Sequence, residues 1–183
     1  KNYTDSLFWQ ELQKRVLIYD GAMGSLLQTY ELTAADFGGA EYEGCNEALV
    51  LTRPDVIEEI HSKYFEVGAD VVETDTFTAS RLKLDEYKLG EKTYEINKQA
   101  AAIARKVADR FTTADPSQPR FVAGSIGPTG FLPSTEDPVL GSVSFDQLVE
   151  VFTEQATALL DGGADVLLIE TSQDILEVKA AIF

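Results

Sequence analysis

Gly68-Ala69-Asp70-Val71-Val72-Glu73-Thr74 recurs later in the chain as Gly163-Ala164-Asp165-Val166-Leu167-Leu168-Ile169-Glu170-Thr171. In both copies a helix-like run ends at Gly-Ala-Asp, a short apolar strand follows, and the strand stops at Glu-Thr. A helix-to-strand unit used twice, with a polar pair at each strand's C-terminal end, is the pattern of a parallel α/β barrel, and that end is where such barrels keep their chemistry.

Two further strands extend the pattern outward. Residues 16–19, Val-Leu-Ile-Tyr, are closed by Asp20-Gly21, and residues 120–126 run into Gly127-Pro128-Thr129-Gly130. Helical spacing places helices over 4–14, 22–30, 54–67, 80–89, 93–111, 145–161 and 174–183. The first of these is expected to plug or cover one end of the fold. The helix over 54–67 has a cap residue, Thr52, ahead of a proline in its first turn, and Val56, Ile57, Ile60, Tyr64 and Val67 share its apolar face. Residues 31–46 are Gly-rich and polar, a long irregular excursion of the kind that shapes a site, and 131–143 form a second, Pro-containing loop. Four parallel strands separated by helices account for the chain. They make the N-terminal half, about four βα units, of a (β/α)8 barrel, whose complete form needs about 250 residues. A doubly wound sheet is the structural alternative, but no Gly-x-Gly-x-x-Gly follows any strand.

The bulk properties narrow the function classes. With 183 residues and 44% hydrophobic content the chain can bury a substantial core, and nothing in its length demands a second domain. Against 15 Lys and Arg stand 31 Asp and Glu, a net charge of -16 with no local basic patch, which argues against nucleic acid as a partner. Apolar runs fall far short of the roughly 20 residues of a membrane span, and the opening Lys-Asn-Tyr-Thr-Asp has no basic region leading into an apolar one. A cytoplasmic protein is the expectation, and a single cysteine, Cys45, fits a reducing compartment. The chain begins without Met and stops inside a predicted helix, so residues 1–183 are expected to be the N-terminal part of a barrel domain whose C-terminal half is missing.

Strand-end residues are the candidates for chemistry: Asp20 and Gly21, Glu73 to Thr76, Ser125 with Gly127, and Glu170 with Thr171. Side-by-side parallel strands bring these groups to one rim, where a ring of acids suits an ammonium group. For any single position the alternative is a polar residue that caps the following helix. Gly21, Gly24 and Gly127 could bring backbone N–H groups to an anion, a carboxylate as readily as a phosphate, or could simply form tight turns. No Walker-type Gly-Lys-Ser/Thr run supports nucleoside triphosphate chemistry. His61 reads as structural, on the polar-to-boundary side of its helix. Cys45 lacks an adjacent base, and one thiol with one histidine falls short of a four-ligand zinc site. Met23 and Trp9 read as core contacts.

Asp20-Gly21-Ala22-Met23-Gly24, Cys45-Asn46-Glu47 leading to Leu51-Thr52-Arg53-Pro54-Asp55-Val56-Ile57, Glu73-Thr74-Asp75-Thr76-Phe77, Gly124-Ser125-Ile126-Gly127-Pro128-Thr129 and Ile169-Glu170-Thr171 together resemble the homocysteine S-methyltransferase family. Order and spacing match over essentially the whole chain. The excursion before Cys45, with Ala35-Asp36-Phe37, is most similar to the N-terminal homocysteine-binding module of the family's cobalamin-dependent members. The resemblance implies a (β/α)8 barrel that binds homocysteine, activates its thiol on zinc and presents the thiolate to a methyl donor. It implies methylcobalamin as donor through another domain, with folate- and cobalamin-binding domains as partners. Asp20 and Glu170 match family positions at the amino-acid end of homocysteine, and backbone amides near Gly21 and Ser125 are the implied partners of its carboxylate. The implied zinc is held by three cysteines of later strands, one alone and two adjacent. Cys45 matches none of them, so the ligands are expected beyond Phe183 and this segment alone is expected to be inactive. Asp75 stands where the family commonly has Asn. The alternatives are a betaine- or sulfonium-dependent homocysteine methyltransferase, or a non-catalytic half-barrel that works as a binding or assembly module, two copies closing on each other.

Overall fold

The computed structural model describes residues 3–183; Lys1 and Asn2, on which the reading of the N-terminus partly rests, lie outside them. A parallel sheet of three strands forms the centre: β1 (Val71–Glu73), β2 (Phe121–Ile126) and β3 (Val166–Ile169), in that order across the sheet. Val71 pairs with Phe121 and Ala123 with Val166, so the strands step along one another as parallel crossovers require. The predicted first strand is reduced to one parallel bridge, Tyr19 to Val71. Its backbone still follows β1, with Asp70 and Val71 N–H donating to the Ile18 carbonyl and Asp20 N–H to that of Val71. It lies at the sheet edge with Val16 and Ile18 largely exposed, so half its backbone and half its side chains lack the neighbours that regularise a strand.

Helices α1 (Leu7–Leu12), α2 (Met23–Leu27), α3 (Leu49–Thr52), α4 (Pro54–Glu66), α5 (Arg81–Leu84), α6 (Thr93–Ala114), α7 (Phe145–Asp161) and α8 (Ile175–Ile182) complete the chain. The expected helix over 54–67 begins at Pro54, but Thr52 closes α3 rather than capping α4, and Arg53 occupies the N-cap without a side-chain capping bond. The expected helix over 80–89 shortens to one turn capped by Ser80, then tightens into a 3₁₀ turn at Asp85–Tyr87. α7 opens on a capping box in which Ser144 and Gln147 satisfy each other's backbone N–H.

The period of two along the strands sorts the core. Val72 and Val122 face outward against Phe65 of α4 and Ala104, Val107 and Ala108 of α6. Val71, Phe121 and Ala123 face the other way, with Leu17, Tyr19 and Leu168. Phe8 of α1 closes that inner face, its ring edge-on to Phe121 at 5.3 Å, as the expected plug at the N-terminal end of the strands. Glu73, Ser125 and Glu170 continue the same alternation one or two steps further on and therefore end up beyond the plug's opposite end.

Both copies of the opening repeat fold alike. Gly68 and Gly163 adopt φ of +105° and +101°, the left-handed turn that glycine reaches without penalty. Each donates to the carbonyl three residues back, and the following alanine to the carbonyl five back, the paired bonds of a Schellman stop. The aspartates that follow have the same task. Asp70 accepts from Ile18 N–H at 2.9 Å and Asp165 from Val122 N–H at 2.8 Å, each tying its strand to the one before. Arg15 and Arg105 pair with these carboxylates.

Candidate active site

At the C-terminal ends of the strands opens a cavity of about 560 Å³ whose wall includes Asp20, Gly21, Met23, Gly24, Glu47, Glu73, Asp75, Ser125 and Glu170. The four residues that the resemblance implies as substrate-binding, Asp20, Gly21, Ser125 and Glu170, thus meet at one opening with the strand-end candidates Glu73, Thr74 and Asp75, whereas Thr76, Gly127 and Thr171 do not line it. The carboxylate of Asp20 is fixed from β1, both oxygens lying 3.1 Å from the Glu73 N–H. Ser125 Oγ–H donates to Glu170 Oε1 at 2.6 Å and orients that side chain across the mouth. Glu170 is followed by Thr171 at φ +56°, a conformation a β-branched residue adopts reluctantly, so the chain turns sharply as it leaves β3.

The acids repel one another in a poorly solvated place. Burial pushes the Asp20 carboxyl up to about 8, with Glu73 and Glu170 adding to the shift. Glu73 rises to about 7, through burial and then through Glu170. Asp75 is raised well above the usual carboxylate range by burial and by Glu47. Among the described residues, no lysine, arginine or histidine lines the cavity. The site is therefore built to lower its energy by accepting a cation.

The glycines divide. Gly21 N–H donates to no described residue and is open to an anion, whereas Gly127 N–H is engaged by the Phe77 carbonyl and a Cβ there would stand 2.4 Å from that oxygen. Gly127 serves close packing. The Ser125 amide is likewise engaged, donating to Thr74 Oγ1 at 3.0 Å, so the hydroxyl is what Ser125 offers the site. Two further residues line the cavity: Asp75, one of the strand-end candidates, and Glu47, held by both N–H and Oγ–H of Thr78, which the sequence reading quoted only within a family motif. Their position in the long Cys45-Asn46-Glu47 and Glu73-Thr74-Asp75 runs was the available signal. Met23 packs against the core as expected and also lines the cavity.

His61 is a correction. It is fully buried in α4 rather than at a polar boundary, both ring nitrogens lack partners, and burial pushes it down to about 4, so it is neutral. The residues do not fit a zinc ion. Among those described, no group of three or more His, Cys, Asp or Glu is arranged to hold a metal. Cys45 is buried in the hydrophobic core, and burial raises its thiol to about 12, the reverse of what a thiolate ligand needs. No helix among the described residues is long and apolar enough to cross a membrane.

Fold and site together define an α/β protein with a parallel sheet and an acidic cavity at the strand ends. The sequence pattern of homocysteine S-methyltransferases matches residues 17–183, and the chain belongs to that family. It is 46% identical over 178 residues to methionine synthase of Mycobacterium leprae (strain TN), covering 97% of this chain. To methionine synthase of Mycobacterium tuberculosis (strain ATCC 25618 / H37Rv) it is 44% identical over 182 residues. The chain spans 14% of the length of each of these relatives. In fold it matches the crystal structure of the homocysteine methyltransferase MmuM from Escherichia coli, oxidised form, with a TM-score of 0.76 at 24% identity, over 98% of this chain and 60% of that one. The metallated form of the same protein gives a TM-score of 0.76 at 23% identity, over the same shares.

Proposed function

We propose that these residues are the homocysteine-binding part of a methionine synthase and form the N-terminal half of its (β/α)8 barrel. The observation that carries the reading is the convergence of Asp20, Glu73 and Glu170 on one cavity that no basic side chain among the described residues lines. Homocysteine is a zwitterion, and its ammonium group would sit between Asp20 and Glu170 and draw the proton off Asp20. Ser125 would hold Glu170 in register, and the Gly21 N–H would meet the carboxylate. This leaves the thiol for the remainder of the barrel, where zinc, when bound, would supply a deprotonated sulfur.

The zinc ligands are proposed to lie beyond Phe183, with this segment inactive by itself, as the family resemblance implies. Methylcobalamin as methyl donor, folate- and cobalamin-binding partner domains and a cytoplasmic setting are part of the same proposal. They are supported by the identity of 44% and 46% to methionine synthases, which favours this donor over betaine or a sulfonium compound. The test is calorimetric binding of L-homocysteine to the full-length protein. Asp20→Asn and Glu170→Gln should each weaken it by roughly 2 kcal/mol or more, the loss expected when one member of a buried charge pair is removed. Unchanged affinity in both variants would end the reading.

A further inference from the structure

Between the end of β1 and the start of α5, residues 74–80 form neither helix nor strand, yet Thr74, Asp75, Phe77 and Thr78 of this loop line the cavity. A loop without a backbone ladder takes its shape from the groups that hold its own N–H and carbonyls. Part of the hold comes from the neighbouring strand: Thr76 Oγ–H donates to the Ser125 carbonyl at 2.7 Å, and the Ser125 N–H donates to Thr74 Oγ1. The rest comes from two helices of the outer layer.

Gln155 of α7 reaches the loop with Nε2, which donates to the Thr76 carbonyl at 3.1 Å. Asn97 of α6 acts further along, its Nδ2 lying 2.8 Å from the Ala79 carbonyl and 2.8 Å from that of Thr93. Both side chains are wholly buried, and the oxygen of each amide has no partner among the described residues. A buried amide left half satisfied costs stability that an apolar side chain of similar size would not. What each amide does supply is an N–H aimed at a loop carbonyl, and because a carbonyl only accepts, the nitrogen end must face the loop. The two anchored carbonyls bracket Phe77 and Thr78, and the Ala79 N–H closes the turn between them onto the Thr76 carbonyl at 3.0 Å. Thr78 in turn holds Glu47 through its N–H and Oγ–H, so the anchored turn fixes a second part of the wall.

We propose that Gln155 and Asn97 are positioning residues: from the outer helices they fix the turn over 76–79 and so hold Phe77, Thr78 and Glu47 in the cavity wall before a ligand arrives. Neither amide lines the cavity itself, and both act through the loop. The inference rests on homocysteine being the ligand of that cavity, and its test separates the two ideas.

Gln155→Met and Asn97→Leu keep the side-chain volume close to the original and remove the donor. In the full-length protein each should weaken L-homocysteine binding by about fivefold or more in calorimetry, the scale of one lost hydrogen bond, with the stoichiometry unchanged. Val107→Ala opens space between α6 and the outward face of the sheet, away from the loop, and should lower the melting temperature while leaving the affinity within about twofold. Hydrogen exchange of the peptide spanning 74–80 needs no ligand. It should be slow in wild type before homocysteine is added and faster in Q155M and N97L, with exchange across β3 unchanged. Affinity within about twofold of wild type in both variants, a V107A that loses as much affinity as they do, or a loop that exchanges fast in ligand-free wild type would overturn the inference while leaving homocysteine as the ligand. Were one variant unable to fold, the other variant and the wild-type exchange carry the same decision. Wild-type protein that binds no homocysteine would overturn the functional reading, and the exchange comparison would then decide the anchoring by itself.

Discussion

Asp20 and Glu73 hold protons in the folded state that the same side chains release when unfolded, because burial lifts them from 3.8 to about 8 and from 4.5 to about 7. Where the folded state binds more protons, stability falls as pH rises, so the ligand-free protein should melt at progressively lower temperature from about pH 4 to about pH 8. Asp20→Asn removes one of the two titrations and should flatten that slope in a series of thermal melts. Ligand binding runs the other way. An ammonium group needs the ionised acids, so homocysteine affinity should climb between about pH 6 and about pH 8 while the amine is still protonated, and isothermal titration across that range reads it directly. Ser125→Ala frees Glu170 Oε1 from its only described side-chain donor apart from its neighbours in the cavity, and a fall of about 1 kcal/mol in homocysteine binding is expected with little change in melting temperature. These residues were legible because each ends a strand. Asp75 stood among the strand-end candidates, but its environment was not legible, since it depends on burial and on Glu47, which sequence places 28 positions away.

At the level of elements, helices and strands followed from periodicity wherever an element was long and packed on both sides. α7 spans Phe145–Asp161, as its apolar spacing and the Ser144 cap require. Short elements were less legible. α5 closes after four residues and the segment over 16–19 keeps only a bridge, because their regularity depends on neighbours that local sequence does not specify. Gly127 illustrates the same limit: as a sequence feature it suggested an anion cradle, whereas the structure uses it to let the end of β2 approach Phe77. Gly127→Ala should therefore destabilise the protein by about 2 kcal/mol through overpacking and push Phe77, a wall of the cavity, out of place. A denaturant melt together with homocysteine titration would show both losses at once; an unaffected melt would contradict the packing argument.

Across the whole molecule, apolar surface is left open at the two flanks of the sheet: Val16 and Ile18 on one side, Ile182 and Phe183 on the other. If the remaining half of a barrel covers these flanks, the 183-residue segment by itself should self-associate with an average mass that grows with concentration, while the full-length protein should not. Sedimentation velocity on both distinguishes this from a discrete dimer of two segments. The repeated Gly-Ala-Asp…Glu-Thr unit bears on how such a molecule can be enlarged. Each copy brings a peg, the aspartate that catches the preceding ribbon's N–H, and a carboxyl tip that lines the cavity, the glutamate at the far end. A chain that gains one more such module extends its scaffold and its cavity wall in a single step, with alignment of the newcomer built into the module itself.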